Sequence, residues 1–131
     1  MRKTITSVGK LVEAGLIEPA ATPTMTAVTK NFSLRITPHV LAQIQTPDPS
    51  DPIHAQYVPS ADELRHAPGE LSDPIGDDTH EPVKGVTHRY PDRVLLKPPH
   101  SCQVYCRFCF RREKAGRAGF ALDQAELETA L

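Results

Sequence analysis

All thirteen prolines of this 131-residue chain precede His100, and eleven of them fall between Pro38 and Pro99. Proline removes a backbone donor and disfavours helix in the residue before it, so this stretch cannot hold a long helix. Low-complexity repetition is nevertheless absent, and apolar anchors such as Ile53, Tyr57, Val58, Leu64 and Val83 recur through it. The pattern predicts short helices joined by ordered, extended connections rather than a disordered linker. The echo Asp48-Pro49 and Asp51-Pro52 is a turn signal, not a structural repeat.

Individual elements follow from spacing and start signals. Val8, Leu11, Val12, Gly15 and Leu16 predict a short amphipathic helix. Thr22-Pro23 reads as N-cap then first helical residue, with Met25, Val28 and Phe32 on one face. Thr37-Pro38 repeats that signal ahead of a stripe of Val40, Leu41 and Ile44. Ser60 and Glu63 form a capping-box pattern before Leu64. Arg93-Val94-Leu95-Leu96-Lys97, bounded by Pro91 and Pro98, reads as a buried strand. Asp123 and Glu126 open a last helix containing Ala125, Leu127 and Leu131. No cap or glycine closes it, which raises the expectation of a chain cut short.

Composition removes several classes of function. The length suits about one domain, and an apolar fraction of 39% without tryptophan allows only a thin core. A formal net charge of −1 gives no general nucleic-acid or membrane-surface footprint. No apolar run approaches transmembrane length, and no apolar leader opens the chain. Three cysteines, an odd number packed into eight residues, suit a reducing, cytoplasmic setting better than a disulfide framework.

Those cysteines carry the chemistry. Cys102-Gln103-Val104-Tyr105-Cys106-Arg107-Phe108-Cys109 is a C-x3-C-x2-C pattern, and three thiolates so close in sequence can converge on one soft metal centre. Three protein ligands for four irons would leave one iron open for a further ligand, as catalytic metal sites keep a position free. The loop follows the predicted strand at its C-terminal end, where (β/α) barrels place their active sites, if that strand is parallel to its neighbours. A zinc site using His100 with the three cysteines is the rival, although structural zinc sites usually pair two separated couples and no second couple is present. Inert buried thiols are the third reading.

A family resemblance now enters. C-x3-C-x-aromatic-C resembles the signature loop of the radical S-adenosylmethionine (SAM) superfamily. The wider string His88-Arg89-Tyr90-Pro91-Asp92-Arg93-Val94-Leu95-Leu96-Lys97, the cysteine loop and Phe110-Arg111-Arg112-Glu113 resemble the lysine 2,3-aminomutase family in particular. Asp73-Pro74-Ile75-Gly76-Asp77-Asp78, Pro82-Val83-Lys84-Gly85, Arg35-Ile36-Thr37-Pro38 and the Asp51-Pro52-Ile53 region are similar to the same family. The resemblance runs from about Phe32 to Gly116.

It implies an isomerase that uses a [4Fe–4S] cluster, SAM and pyridoxal 5′-phosphate (PLP) to move an α-amino group to the β-carbon of an amino acid. In such enzymes a 5′-deoxyadenosyl radical removes a β-hydrogen, and the cofactors carry the radical chemistry while the protein positions and shields. By the same resemblance Cys102, Cys106 and Cys109 hold the cluster, Arg111 pairs with the substrate carboxylate, and Arg89, Tyr90 and Arg93 lie near the PLP phosphate. A guanidinium suits both anions because its fork binds oxygens bidentately. The bland alternatives are a solvated basic turn for Arg111 and Arg112, surface charges for Arg89 and Arg93, and packing for Tyr90. The implied partners are an amino-acid substrate such as L-lysine, an electron donor such as flavodoxin or ferredoxin, and further copies of the full-length chain in a homo-oligomer.

The expected fold class is therefore α/β. A mostly helical, Pro-rich region, 1–87, leads into 88–131, the first β/α unit of a partial TIM-type barrel with strand, cluster loop and incomplete helix. The PLP lysine, the SAM-contacting segment and the acidic residues that recognise a lysine side chain lie downstream in this family, so the isolated chain is expected to be inactive, with an aggregation-prone strand edge. An enzyme acting on a lysine of a translation factor, and a zinc-binding interaction module, are the alternatives. A SAM-dependent activase is disfavoured by the His88–Arg93 string. His39, His54, His66 and His80 lack metal spacing and read as surface or turn residues, and Asp77 and Asp78 read as turn formers.

Overall fold

The computed structural model describes residues 3–131 of the chain. Its first helix, α1 (Val8–Glu13), buries Val8 and Leu11. Gly15 ends that segment in the left-handed region, at φ 67°. Gly15 N donates to Val12 O at 2.9 Å and Leu16 N to Leu11 O at 3.0 Å, which is the paired bonding of a Schellman stop. The stop also brings Leu11 and Leu16 together in the core. Ile5 and Ile36 join it through a two-bond antiparallel bridge, with Leu34 and Val58 completing the buried set.

The helix α2 (Thr22–Asn31) follows a 3-10 turn at Pro19–Ala21, and it buries Met25 and Val28, with Phe32 beneath its end. The expected Thr22 cap is corrected. Thr22 already has helical backbone angles and its side chain caps nothing, because the turn opened by Pro19 runs directly into the helix. The Thr37-Pro38 start is made as expected, and Asp51-Pro52, which reads in the sequence only as a turn signal, also opens a helix. In α3 (Pro38–Leu41) the Thr37 hydroxyl accepts from Val40 N at 3.4 Å. In α4 (Pro52–Tyr57) Asp51 caps the start, and Val58, ahead of Pro59, turns to extended backbone. Val40, Leu41, Ile44 and Tyr57 pack half-buried on the core. His54 is not on the surface: it is buried, and its Nε2 lies 3.1 Å from Leu16 O, tying α4 to the end of α1.

Beyond α4 the Ser60–Glu63 capping box is formed around a 3-10 turn at Ala61–Leu64. A short 3-10 turn at Asp78–His80 leads into a two-stranded antiparallel sheet, β1 (Val86–Tyr90) and β2 (Arg93–Leu96). The expectation of a buried, parallel strand at 93–97 is overturned here. Tyr90 pairs with Arg93 across the two-residue turn Pro91-Asp92, so the chain folds straight back on β1 with a one-residue irregularity between Thr87 and Tyr90. Val94 and Leu95 stand about half exposed, while Lys97, the next residue but one, is buried. Of the α/β reading, the chain adopts the coarser part: short helices with one small, antiparallel two-stranded sheet among the described residues. The helix α5 (Gln124–Ala130) carries the expected Asp123–Glu126 capping box, with Leu127 half-buried and Ala125 exposed. No helix among the described residues is long and apolar enough to cross a membrane.

Asp51 is the polar anchor of the helical part. Its carboxylate accepts from Gln45 N at 2.6 Å, Thr46 N at 3.1 Å, Ile53 N at 2.8 Å and His54 N at 2.9 Å. The His54 N–H, then those of Gln45, Thr46 and Ile53, outweigh burial and hold its pKa at about 2, below the ordinary 3.8. A carboxylate with a depressed folded-state pKa stabilises above its unfolded pKa and stops doing so as pH falls through the folded one. The chain should therefore lose stability as pH drops from about 4 towards 2. Asp51→Asn should be less stable at neutral pH and show a flatter acid limb, read from urea midpoints across that range.

Candidate functional site

The cysteine loop sits against the helical region, held by its backbone. Tyr105 N donates to Arg35 O at 3.1 Å and Arg107 N to Gln56 O at 2.8 Å. Cys109 N turns back onto Cys106 O at 3.2 Å. Cys102, Cys106 and Cys109 all line one cavity of about 60 Å³, walled by Phe32, Val104, Tyr105 and Ala115. No carboxylate or imidazole is among its lining residues, so the donors it offers are the soft thiols that an iron–sulfur cluster takes. Among the described residues no group of three or more His, Cys, Asp or Glu side chains is gathered in metal-binding geometry. His100, the fourth residue of the zinc reading, lines a different cavity and stacks edge-on to Phe120. Burial first, then Lys97 and Lys114, holds its pKa below the ordinary value.

The helix α4 supplies the neighbours of Cys106. Gln56 Nε2 lies 4.0 Å from its Sγ. Burial raises the Tyr57 phenol above its usual pKa, and Cys106 beside it, by charge and hydrogen bond, raises it further.

Arg107, between two of the cysteines, is buried and fully engaged. Its Nε and Nη2 donate to the two carboxylate oxygens of Glu63 at 3.0 and 2.7 Å, and Nη1 donates to Ser33 O at 2.9 Å. Glu63 is the same residue that closes the capping box with Ser60. Sequence reading passed over Arg107 as a spacer, although a lone arginine between cysteines and a lone capping glutamate are each a hint of pairing.

The remaining predicted residues fall into two neighbouring places. Arg89, Tyr90 and Arg93 line one open groove of about 270 Å³ with Thr87 and Asp77. Arg89 Nη2 donates to Ile75 O, and the Arg93 guanidinium lies 4.9 Å from the Tyr90 ring centre. Arg111 is outside that groove, half-buried, with its guanidinium 4.6 Å from the Phe110 ring. The turn reading of Asp77 and Asp78 needs correction at this point. Asp77 is buried and accepts from Arg111 through Nε at 2.9 Å and Nη2 at 2.7 Å, with Lys97 Nζ 3.8 Å away. Lys97 itself is buried and pairs with Glu81 at 3.1 Å. Asp78 accepts from Lys114. A proline-rich setting suggests turns, and nothing local in the sequence points to partners more than thirty residues away.

Comparison with known proteins finds relatives over about three quarters of the chain. The chain is 43% identical over 102 residues to an L-lysine 2,3-aminomutase of Clostridium subterminale, which covers 78% of this chain and 24% of that protein. It is 38% identical over 103 residues to the L-lysine 2,3-aminomutase of Bacillus subtilis, covering 79% and 22%. Over about three quarters of its length this chain resembles the lysine 2,3-aminomutase family. A glutamate 2,3-aminomutase of Clostridioides difficile is also similar, at 36% over 86 residues, covering 66% of the chain and 20% of that protein. No protein-family model matches the chain. The chain spans about a quarter of the length of the lysine aminomutases it matches.

Two positions carry the loop. Removing one partner of a buried ion pair costs about 3–5 kcal/mol. Arg107→Met should therefore lose stability of that order, and Arg107→Met combined with Glu63→Leu should recover part of it, by urea denaturation. Gly116, at φ 72°, is the second. A Cβ there would collide with the Tyr105 ring at Cζ and with its Oη. Gly116→Ala should cost about 1–2 kcal/mol for the left-handed backbone alone. The contact adds to that cost, and Tyr105→Ala in the same chain should relieve only the contact part.

Proposed function

We propose that this chain forms the cluster-binding and anion-binding part of a radical SAM, PLP-dependent amino-acid 2,3-aminomutase working in the cytosol. The observation that carries the reading is the presence of all three loop cysteines on one thiol-lined cavity, in a chain 43% identical over 102 residues to an L-lysine 2,3-aminomutase. Cys102, Cys106 and Cys109 would hold the [4Fe–4S] cluster, whose open iron takes SAM. Arg89, Tyr90 and Arg93 would hold the PLP phosphate, a role supported by their common groove and by its two guanidinium groups and one hydroxyl. Arg111 would take the substrate α-carboxylate. When bound, cluster, SAM and PLP supply the radical chemistry of the amino-group migration.

The protein's own work is positioning. Arg107 and Glu63 fix the loop between its second and third cysteines, and Tyr105, Phe32 and Val104 wall the thiols in on one side. In the same reading β2, although antiparallel to β1, and α5 would be the first strand and helix of the barrel, with the mostly helical 1–87 before them. The substrate is L-lysine or another amino acid, since lysine and glutamate share the α-carboxylate that Arg111 would recognise. An electron donor such as flavodoxin or ferredoxin, and a homo-oligomeric assembly of full-length chains, complete the proposal. A translation-factor lysine as substrate is not favoured by any relative named above.

Anaerobic reconstitution with iron and sulfide, reduction, and EPR with and without SAM test this reading. The expected result is a [4Fe–4S]⁺ signal that SAM perturbs and that Cys106→Ala abolishes. Stoichiometric zinc without iron or sulfide would sink it in favour of the zinc module.

A further inference from the structure

We infer that Asp77 is the positioning residue that presents Arg111 to a substrate carboxylate, an inference that rests on the carboxylate role of Arg111 proposed above. Both Arg111 contacts run to one oxygen, Oδ2, through Nε and Nη2, at 2.9 and 2.7 Å. This engages the side edge of the guanidinium. A guanidinium carries five donors in a rigid fork, so its Nη1–Nη2 end stays free to take a second carboxylate bidentately. Arg111 is 29% exposed while Asp77 is 7% exposed, so the anchor is buried and the arginine it holds keeps access to solvent. The Phe110 ring, 4.6 Å from the Arg111 carbon, restricts the guanidinium plane further.

Asp77 is itself held. The Asp73 carboxylate accepts from Asp77 N at 2.9 Å and Asp78 N at 2.8 Å, closing the 73–78 loop, and Arg89 bonds the same loop at Ile75 O. Asp77 also lines both the groove of Arg89, Tyr90 and Arg93 and the small cavity beside Arg111. One loop therefore sets the distance between the phosphate donors and the carboxylate donor. Lys97, 3.8 Å from the same oxygen, means that removing the Asp77 charge leaves two cations facing each other across it.

The test is NMR of the chain with ¹⁵N-labelled arginine side chains, titrated with L-lysine and, separately, with L-lysinamide, which lacks the carboxylate. In the unsubstituted chain the Arg111 Nε–H should exchange slowly with solvent and stay in place. Its Nη signals should move with L-lysine and not with lysinamide. Asp77→Asn should raise the apparent Kd for L-lysine roughly 10- to 100-fold, the range for hydrogen bonds to charged groups. Asp77→Glu should recover part of the affinity, which a merely structural role would not predict. Unchanged affinity in Asp77→Asn overturns the inference and leaves Arg111 as the carboxylate donor. Lysine that fails to shift Arg111 Nη in the unsubstituted chain overturns the carboxylate role itself. A fast-exchanging Arg111 Nε–H there overturns the positioning role even if Asp77→Asn does not fold.

Discussion

The Arg107–Glu63 pair is the contact on which the placement of the cysteine loop depends. Both side chains are nearly removed from water, at 5% and 9% exposure, and both guanidinium edges are used. Desolvating two charges is expensive, and their attraction offsets it only when the geometry is good and the remaining donors are satisfied. Here the fork meets both carboxylate oxygens and the last nitrogen finds a carbonyl. The pair specifies more than it stabilises. Arg107 has one place in the fold where its charge is matched and each of its three nitrogens has an acceptor, so the two cysteines that flank it have one approach to the helical region.

Such a pair is nearly invisible in the sequence, and so are the Asp77 contacts. Short-range devices were legible: the Pro38 start, the Ser60 and Asp123 capping boxes, and the amphipathic faces of α1 and α2 are all formed. Each is decided by residues within about one helical turn of one another. The misreadings share the opposite character. Val94 and Leu95 look like a buried run because they are apolar, but the Pro91-Asp92 turn sends them back along β1 with their faces half open. His54 looks polar and therefore external, whereas the carbonyl of Leu16, thirty-eight residues away, gives it a buried partner. The cysteine cavity stands between the two cases: spacing identified the thiols, and only the fold put Phe32 beside them.

Charge is distributed to match. The net charge of −1 conceals a concentration of ion pairs around 73–114, where Asp77, Asp78, Glu81, Lys97, Arg111 and Lys114 neutralise one another. The phosphate site proposed above would need spare positive potential. In this chain the spare potential is local: Arg89 spends one nitrogen on a backbone carbonyl, which takes none of its charge, and Arg93 leans on exposed Asp92 and the Tyr90 ring. An exposed pair of that kind is worth little and is easily exchanged for a better anion. Arg107, saturated by Glu63, is the reverse case, an arginine whose charge is committed to structure.

The proline distribution and the cysteine loop are finally one design. A helix satisfies its own carbonyls except in its last turn, and extended connections satisfy none of theirs. By breaking the first part of the chain into helices of four to ten residues, the prolines leave carbonyls at the surface of the helical region. Three of them are the acceptors the loop uses: Ser33 O and Arg35 O in the connection between α2 and α3, and Gln56 O in the last turn of α4, which ends two residues before Pro59. The loop has little regular structure of its own and needs partners for its N–H groups if it is to hold one shape. Its order is therefore borrowed. A sequence with longer helices between 33 and 57 would consume those carbonyls internally, and the same eight-residue cysteine motif would have no fixed surface on which to present its thiols.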